Sequence, residues 1–408
     1  MIAHPKLFRG FLLSAVLLAL SDKGQAQFTY KTNNGAITIT GYTGSGGNVT
    51  IPDTINELPV AVIGHDAFSR NTNVTSVVIP NSVIVVEGNI TTGGARPSLG
   101  AFEACYGLTN VAIGNGVANM GSRAFGSCTN LIAITVDINN SAFSSVAGVL
   151  FDKAQMTLLQ YPARRTGECY TIQDSVTKVA ADAFENCINL NSVTIPDSVT
   201  NMGPAAFRYC FNLNTVTIGN GVTIIDRDAF SSCTSLTNAR IPNSVKSISR
   251  DAFYNCTNLT SITIGNGVIG ISPAAFACCY GLTGIYFMGN APYLIPSSIY
   301  VGAFYGDTAT VYYLPATTGW GTNYGGLPTA FWLPQAQPSG ASFRVQTNQF
   351  GFNIAWASGI AVVVEACTNL TNPVWQAVQT NTLTAGAAYF SDPQWTNYPG
   401  RFYRVRWP

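Results

Sequence analysis

Seven times along this chain a cysteine stands three residues after a phenylalanine. The phenylalanines are Phe102, Phe125, Phe184, Phe207, Phe230, Phe253 and Phe276, and the cysteines are Cys105, Cys128, Cys187, Cys210, Cys233, Cys256 and Cys279. From Phe184 to Phe276 the pair recurs every 23 residues. A fixed period near two dozen residues is the mark of stacked structural repeats. One such unit buries about six large side chains, each contributing ~1.5–3 kcal/mol, while ordering its residues costs ~1–2 kcal/mol apiece. A unit therefore cannot stand alone, and stacking on its neighbours must supply the difference.

The unit Leu259–Leu282 shows the local plan. Leu259-Thr-Ser-Ile262-Thr-Ile264 ends in period-two alternation, which predicts a half-buried strand. Gly265-Asn-Gly267 is a turn signal. Val268 to Ile271 reads as a second short strand, and Pro273 to Cys279 as a tight helical or 3₁₀ turn that drops Phe276 inward. Nine Ala-Phe pairs, at Phe68, Phe102, Phe125, Phe184, Phe207, Phe230, Phe253, Phe276 and Phe304, predict about nine rungs. Two spacings are longer: Phe68 to Phe102 accommodates an insertion near Gly88–Ser98, and Phe125 to Phe184 holds two apolar runs within Val146–Tyr161 that read as an inserted hairpin.

The repeated motif Leu-Thr-x-Val-x-Ile-Pro-x-Ser-Val-x-x-Ile-x-x-x-Ala-Phe-x-x-Cys stands at Leu236–Cys256 and, with small changes, at Leu190–Cys210. It resembles the BspA-type leucine-rich repeats of bacterial surface proteins. Val149-Leu-Phe-Asp-Lys153 through Tyr161-Pro162 looks like that family's long repeat. The resemblance covers roughly residues 35–315. It implies a leucine-rich-repeat solenoid with a role in surface display, adhesion and protein or glycan binding, without catalysis and without a cofactor.

Ten cysteines in a secreted chain would ordinarily suggest bridges. Equivalent positions on adjacent rungs, however, project in parallel about 4.8 Å apart, whereas a disulfide needs converging Cβ atoms near 3.8 Å. The seven ladder cysteines therefore read as small buried hydrophobes. Their neighbours are apolar, so no metal ladder is expected. Cys169, Cys278 and Cys367 lie off the ladder, and the sequence leaves their pairing open.

Residues 1–26 read as a signal peptide. Lys6 and Arg9 precede the apolar run Phe11–Leu20, and Gly24-Gln25-Ala26 puts small residues at the cleavage site. The apolar run is too short for the ~30 Å bilayer core. No later stretch suggests a membrane span. The expected product is secreted or displayed on a bacterial cell surface. It carries 17 basic against 18 acidic residues, which gives no basic stripe for nucleic acid.

All six tryptophans, Trp320 to Trp407, follow the repeats. This composition shift suggests a solenoid over 27–334 with its cap at 285–334, a linker at 335–340, and a β-sandwich-like module over 341–408. The whole is expected to be mainly β.

No catalytic motif is present. After the signal segment the single histidine is His65, read as a surface residue of a repeat turn, which serves neither a Ser-His-Asp triad nor a multi-histidine metal site. Asp182, Asp228 and Asp251 recur just before Ala-Phe and read as turn residues rather than a hydrolase pair. The outward positions of the first strand are Val78, Ala112, Thr135, Thr194, Thr217, Arg240, Thr263 and Tyr286. Thr217, Arg240, Thr263 and Tyr286 are the candidate binding residues, with Arg240 and Tyr286 foremost because both residue types are favoured at interface hot spots. The partner expected is an extracellular protein or glycan. A purely structural envelope or matrix role is the alternative, and a carbohydrate-active hydrolase a remote one.

Overall fold

The computed structural model describes residues 27–90, 98–339, 341–346 and 349–408. The signal segment 1–26 and most of the Gly88–Ser98 insertion lie outside the described residues. The chain divides into two compact units. One holds residues up to 262, 267–282 and 292–308; the other holds 263–266, 283–291 and 309–408.

Each turn of the coil carries a long strand and a short one, both parallel to their counterparts on the next turn. In Ser192–Ile195, Val193 and Ile195 are buried and Thr194 faces out, as the alternation dictates. Its register with the next turn pairs Val193 with Val216 and Thr194 with Thr217. Like therefore stacks on like from one turn to the next. The short strands pair the same way, Lys178–Val179 with Asn201–Met202. The glycine-rich corner lets turns approach closely: a Cβ on Gly221 would collide with the Asp197 carbonyl oxygen.

The segment around each phenylalanine is not the helical or 3₁₀ turn expected. Asp182 and Asn186, two residues either side of Phe184, adopt left-handed φ of 57° and 61°, and the same pattern recurs around Phe207, Phe230, Phe253 and Phe276. This conformation aims alternate N–H groups across to the next turn. Asp182, Phe184 and Asn186 donate to the carbonyls of Pro204, Ala206 and Arg208 at 3.1, 2.8 and 2.9 Å. The backbone thus forms a third inter-turn ladder, while the alternate residues Glu185 and Cys187 keep local bonds to the Asp182 and Phe184 carbonyls at 3.0 and 3.2 Å. Asp and Asn are frequent here because their short polar side chains tolerate the left-handed region.

The phenylalanine rings stack. Phe184 to Phe207, Phe207 to Phe230, Phe230 to Phe253 and Phe253 to Phe276 have centroids 4.6, 5.2, 5.2 and 5.4 Å apart, with the rings tilted by 20° or less. All ten cysteines are free thiols. Each ladder thiol has a specific partner: Sγ of Cys105, Cys128, Cys210, Cys233, Cys256 and Cys279 lies 2.8–3.2 Å from the carbonyl oxygen of the phenylalanine one turn back. The ladder is therefore polar as well as space-filling. Burial pushes the Cys128, Cys187 and Cys233 thiols well above their ordinary range.

Twelve long parallel strands are present among the described residues, against the nine rungs inferred from Ala-Phe pairs. The pairs undercount because some turns use other residues. Tyr161 fills the phenylalanine position of one: its ring lies 4.9 Å from Phe184, and its carbonyl faces the Cys187 thiol at 3.9 Å. The inserted segment forms two antiparallel pairings, Phe143–Val146 with Val149–Asp152 and Val149–Asp152 with Thr157–Gln160. The last of these strands then pairs in parallel with Lys178–Val179, so the insertion rejoins the coil.

In the second unit two antiparallel sheets share an apolar core. Ala361–Cys367 pairs with Gln376–Thr382 and Phe402–Arg406, and Gln349–Ala355 pairs with Arg344–Gln346 and Ala387–Asp392. Residues 335–337, within the stretch expected as a linker, form a strand bonded to Gln349–Ala355. Leu314 joins the core of Phe352, Ile354, Trp356 and Phe390, and the Trp356 indole donates to the Trp332 carbonyl at 2.9 Å. Residues 309–334 of the expected cap therefore pack with these sheets in one unit, while 292–308 belong to the first.

Candidate functional site

The outward rank of the long strands is in register through the first four turns. Thr50 pairs with Val78, Val78 with Ala112, and Ala112 with Thr135. These residues and the corners that follow them line a concave groove of about 520 Å³. Val78 is 43% exposed, and Thr50 and Thr135 are also exposed. The corners contribute Pro52, Asp53, Pro80 and Asp137. Asp53 is exposed and Asp137 half-buried, with the Asp137 carboxylate accepting the Asn139 N–H at 2.8 Å. Sequence reading placed Val78, Ala112 and Thr135 on this face but missed the two carboxylates. The signal for Asp137 lay in the register: it occupies the position taken by Gly114, Pro80 and Pro52 on the other turns.

The four residues singled out from sequence fall in both units. Thr217 and Arg240 are exposed on consecutive turns of the first. Thr263 and Tyr286 are half-buried in the second. Tyr286 has neighbours of its own: its ring stacks on Tyr312 at 5.0 Å and meets Trp332 at 4.9 Å, and burial raises its phenol pKa. None of the four lines the groove.

A second polar constellation lies where the insertion breaks the aromatic stack. Arg123 reaches Glu103 at 2.8 Å, Asp182 at 2.6 Å and Glu185 at 3.0 Å. Glu103 and Glu185 are buried. Arg123, Asp182, Phe125, Leu159 and Gln160 border a cavity of about 130 Å³. Burial pushes Asp182 up to about 6, against the downward pull of Arg123. Three carboxylates on one guanidinium tie the Phe102, Phe125 and Phe184 turns together, which makes this a structural clamp.

The counterparts of Asp182 on two later phenylalanine turns are likewise engaged. Asp251 pairs with Arg250 at 3.0 Å and Asp228 with Arg227 at 3.5 Å. His65, expected at the surface, is half-buried; its Nδ1 lies 2.5 Å from the Gly88 carbonyl oxygen and its Nε2 3.2 Å from Glu87. Among the described residues no group of three or more His, Cys, Asp or Glu is placed to hold a metal ion, and no helix is long and apolar enough to cross a membrane.

The BspA-type leucine-rich repeat region, in six copies, matches residues 42–163 and 168–293. A leucine-rich cell-surface protein of Faecalibacterium prausnitzii is similar at 23% identity over 65% of this chain and 94% of that one, with a TM-score of 0.42. The pneumococcal vaccine antigen PcpA is similar at 18% identity over 71% and 92%, with a TM-score of 0.44. A leucine-rich repeat protein of Eubacterium ventriosum is similar at 20% identity over 72% and 94%, with a TM-score of 0.43. No curated protein matches the chain. With the repeat region matching well over half of the chain and the coil built as its period demands, the chain belongs to the BspA-type leucine-rich repeat family.

Proposed function

We propose that this is a non-catalytic repeat protein, secreted or displayed at a bacterial cell surface, that binds a protein or glycan through the outward face of its long strands. The observation that carries the reading is the groove over the first four turns. There Thr50, Val78 and Thr135 are exposed and Ala112 half-buried along a concave rank, while the core residues alternating with it are committed to packing. A concave, partly apolar surface with a few polar groups is what ligand sites require. The carboxylates of the phenylalanine turns support the non-catalytic reading, since Asp182, Asp228 and Asp251 each sit against an arginine.

The test is binding of the secreted chain to arrayed glycans and to extracellular matrix proteins. Two variants run alongside: Ala112→Trp, which fills the groove, and the pair Arg240→Ala, Tyr286→Ala. Saturable binding lost in Ala112→Trp places the site in the groove. Loss only in the Arg240, Tyr286 pair moves it along the rank. Binding to nothing on either array, or binding untouched by both changes, refutes the reading.

A further inference from the structure

We propose that the groove across the first four turns takes an extended, basic segment of a protein partner. The inference rests on the binding reading above and names the partner's chemistry.

Charge is the first argument. Asp53 and Asp137 stand at the corners of the first and fourth turns, and among the described residues no lysine, arginine or histidine lines the groove between them. Neither carboxylate is in an ion pair among the described residues. The nearby Lys153 ammonium is turned to the Ile138 carbonyl at 3.1 Å.

Asp53 is also released from the work its counterparts do. Asn81 and Asp197, at the same corner of later turns, use the side-chain oxygen to accept the next turn's N–H, from Asn115 at 2.9 Å and Asn220 at 2.6 Å. Asp53 has no such bond and is exposed. A polar residue kept at this corner without its structural bond has a carboxylate available for a ligand.

Dimensions give the third argument. Four strands about 4.8 Å apart place the two corners ~14 Å apart, which the first and fifth residues of an extended chain span at ~3.4 Å per step. Successive side chains of such a chain alternate in direction. The first, third and fifth side chains therefore share the groove face: an apolar third residue meets the floor of Val78 and Ala112, and long basic side chains at the two ends reach the carboxylates. Opposite charges at the ends fix orientation and steer the encounter.

The probes are two fluorescein-labelled pentapeptides, Lys-Thr-Val-Thr-Lys and Glu-Thr-Val-Thr-Glu, titrated by anisotropy into the full secreted chain at low and high salt. The variants are Asp53→Asn with Asp137→Asn, which removes charge at constant shape, and Ala112→Trp, which keeps charge and fills the floor. Thermal melts confirm that both remain folded. The expected result is saturable binding of the lysine peptide alone, about tenfold or more weaker in either variant and weakened by salt. Equal binding of the two peptides, no binding of the lysine peptide, or binding unchanged by Ala112→Trp overturns the inference. A glycan or neutral protein whose binding Ala112→Trp abolishes and the asparagine pair leaves intact refutes the basic segment while the face remains a binding surface.

Discussion

Replacing Phe230 with alanine should remove most of the stability of the repeat coil. Phe230 is fully buried, with Phe207 and Phe253 each 5.2 Å away at interplanar angles of 4° and 14°. Truncating a buried phenylalanine to alanine costs ~3–5 kcal/mol, and each aromatic pair adds ~0.5–1.5 kcal/mol beyond burial. With both faces stacked, the expected loss is about 4–8 kcal/mol, against a total of ~5–15 kcal/mol for an ordinary domain. Phe230→Leu keeps most of the volume and should cost about 1–2 kcal/mol. Phe125→Ala should fall below Phe230→Ala by about 1 kcal/mol, because Phe125 stacks on Phe102 and borders the cavity of the inserted segment. The assay is urea unfolding followed by far-UV circular dichroism, which reports the coil. Tryptophan fluorescence serves as an internal comparison, since all six tryptophans lie in the second unit. A dichroism transition shifted by less than about 1 kcal/mol in Phe230→Ala would show that the stacked rings are not what holds adjacent turns together.

Other residues give sharp tests of the same physics. Arg123→Met leaves Glu103, Asp182 and Glu185 without their shared cation and should cost about 3–5 kcal/mol at neutral pH; a smaller loss on acidification, seen in melts between pH 4 and 8, would confirm the electrostatic origin, and a loss independent of pH would refute it. Asp307 stands three residues after Phe304, in the ladder position that cysteine takes elsewhere; it accepts the Cys279 N–H at 2.9 Å, and its other carboxyl oxygen is buried without a partner. Burial pushes Asp307 up from 3.8 to about 7, so the neutral form favours the folded state: its contribution is full below pH 3.8 and is lost as the pH rises to about 7. Hydrogen exchange of residues 292–308, corrected for intrinsic rates, should lose protection over that window in the native protein and stay flat in Asp307→Asn; parallel curves would refute the assignment. Finally, Cys169 is exposed and Cys278 half-exposed while the other eight cysteines are buried. An aromatic disulfide reagent should therefore titrate about two thiols rapidly in the folded protein and all ten after unfolding, and rapid titration of the ladder would show that the coil opens.

Some of this molecule was legible in the primary structure. The repeat, the inward phenylalanines, the unbridged cysteine ladder and the outward ranks follow from a 23-residue period and a two-residue strand alternation, both properties of single units copied many times. What one unit could not reveal was how the units bond to each other. The left-handed residues flanking each phenylalanine look like ordinary turn signals in sequence, and only the stacked backbone shows their N–H groups crossing to the next turn. Tyr161 went uncounted as a rung because it lacks the Ala-Phe signature, though stacking gives it the same place. Arg123 and its three carboxylates are separated by up to 62 residues and meet only because the insertion folds out between them. Gln335–Gln337 looked like a linker because its strand partner lies elsewhere in the chain. Asp53 and Asp137 are distant in sequence and border one groove because parallel stacking brings every corner of the coil into line. Local periodicity therefore determined the repeat unit and the direction each side chain faces. Tertiary structure alone decided which distant polar groups converge, because long-range register, not composition, sets those distances.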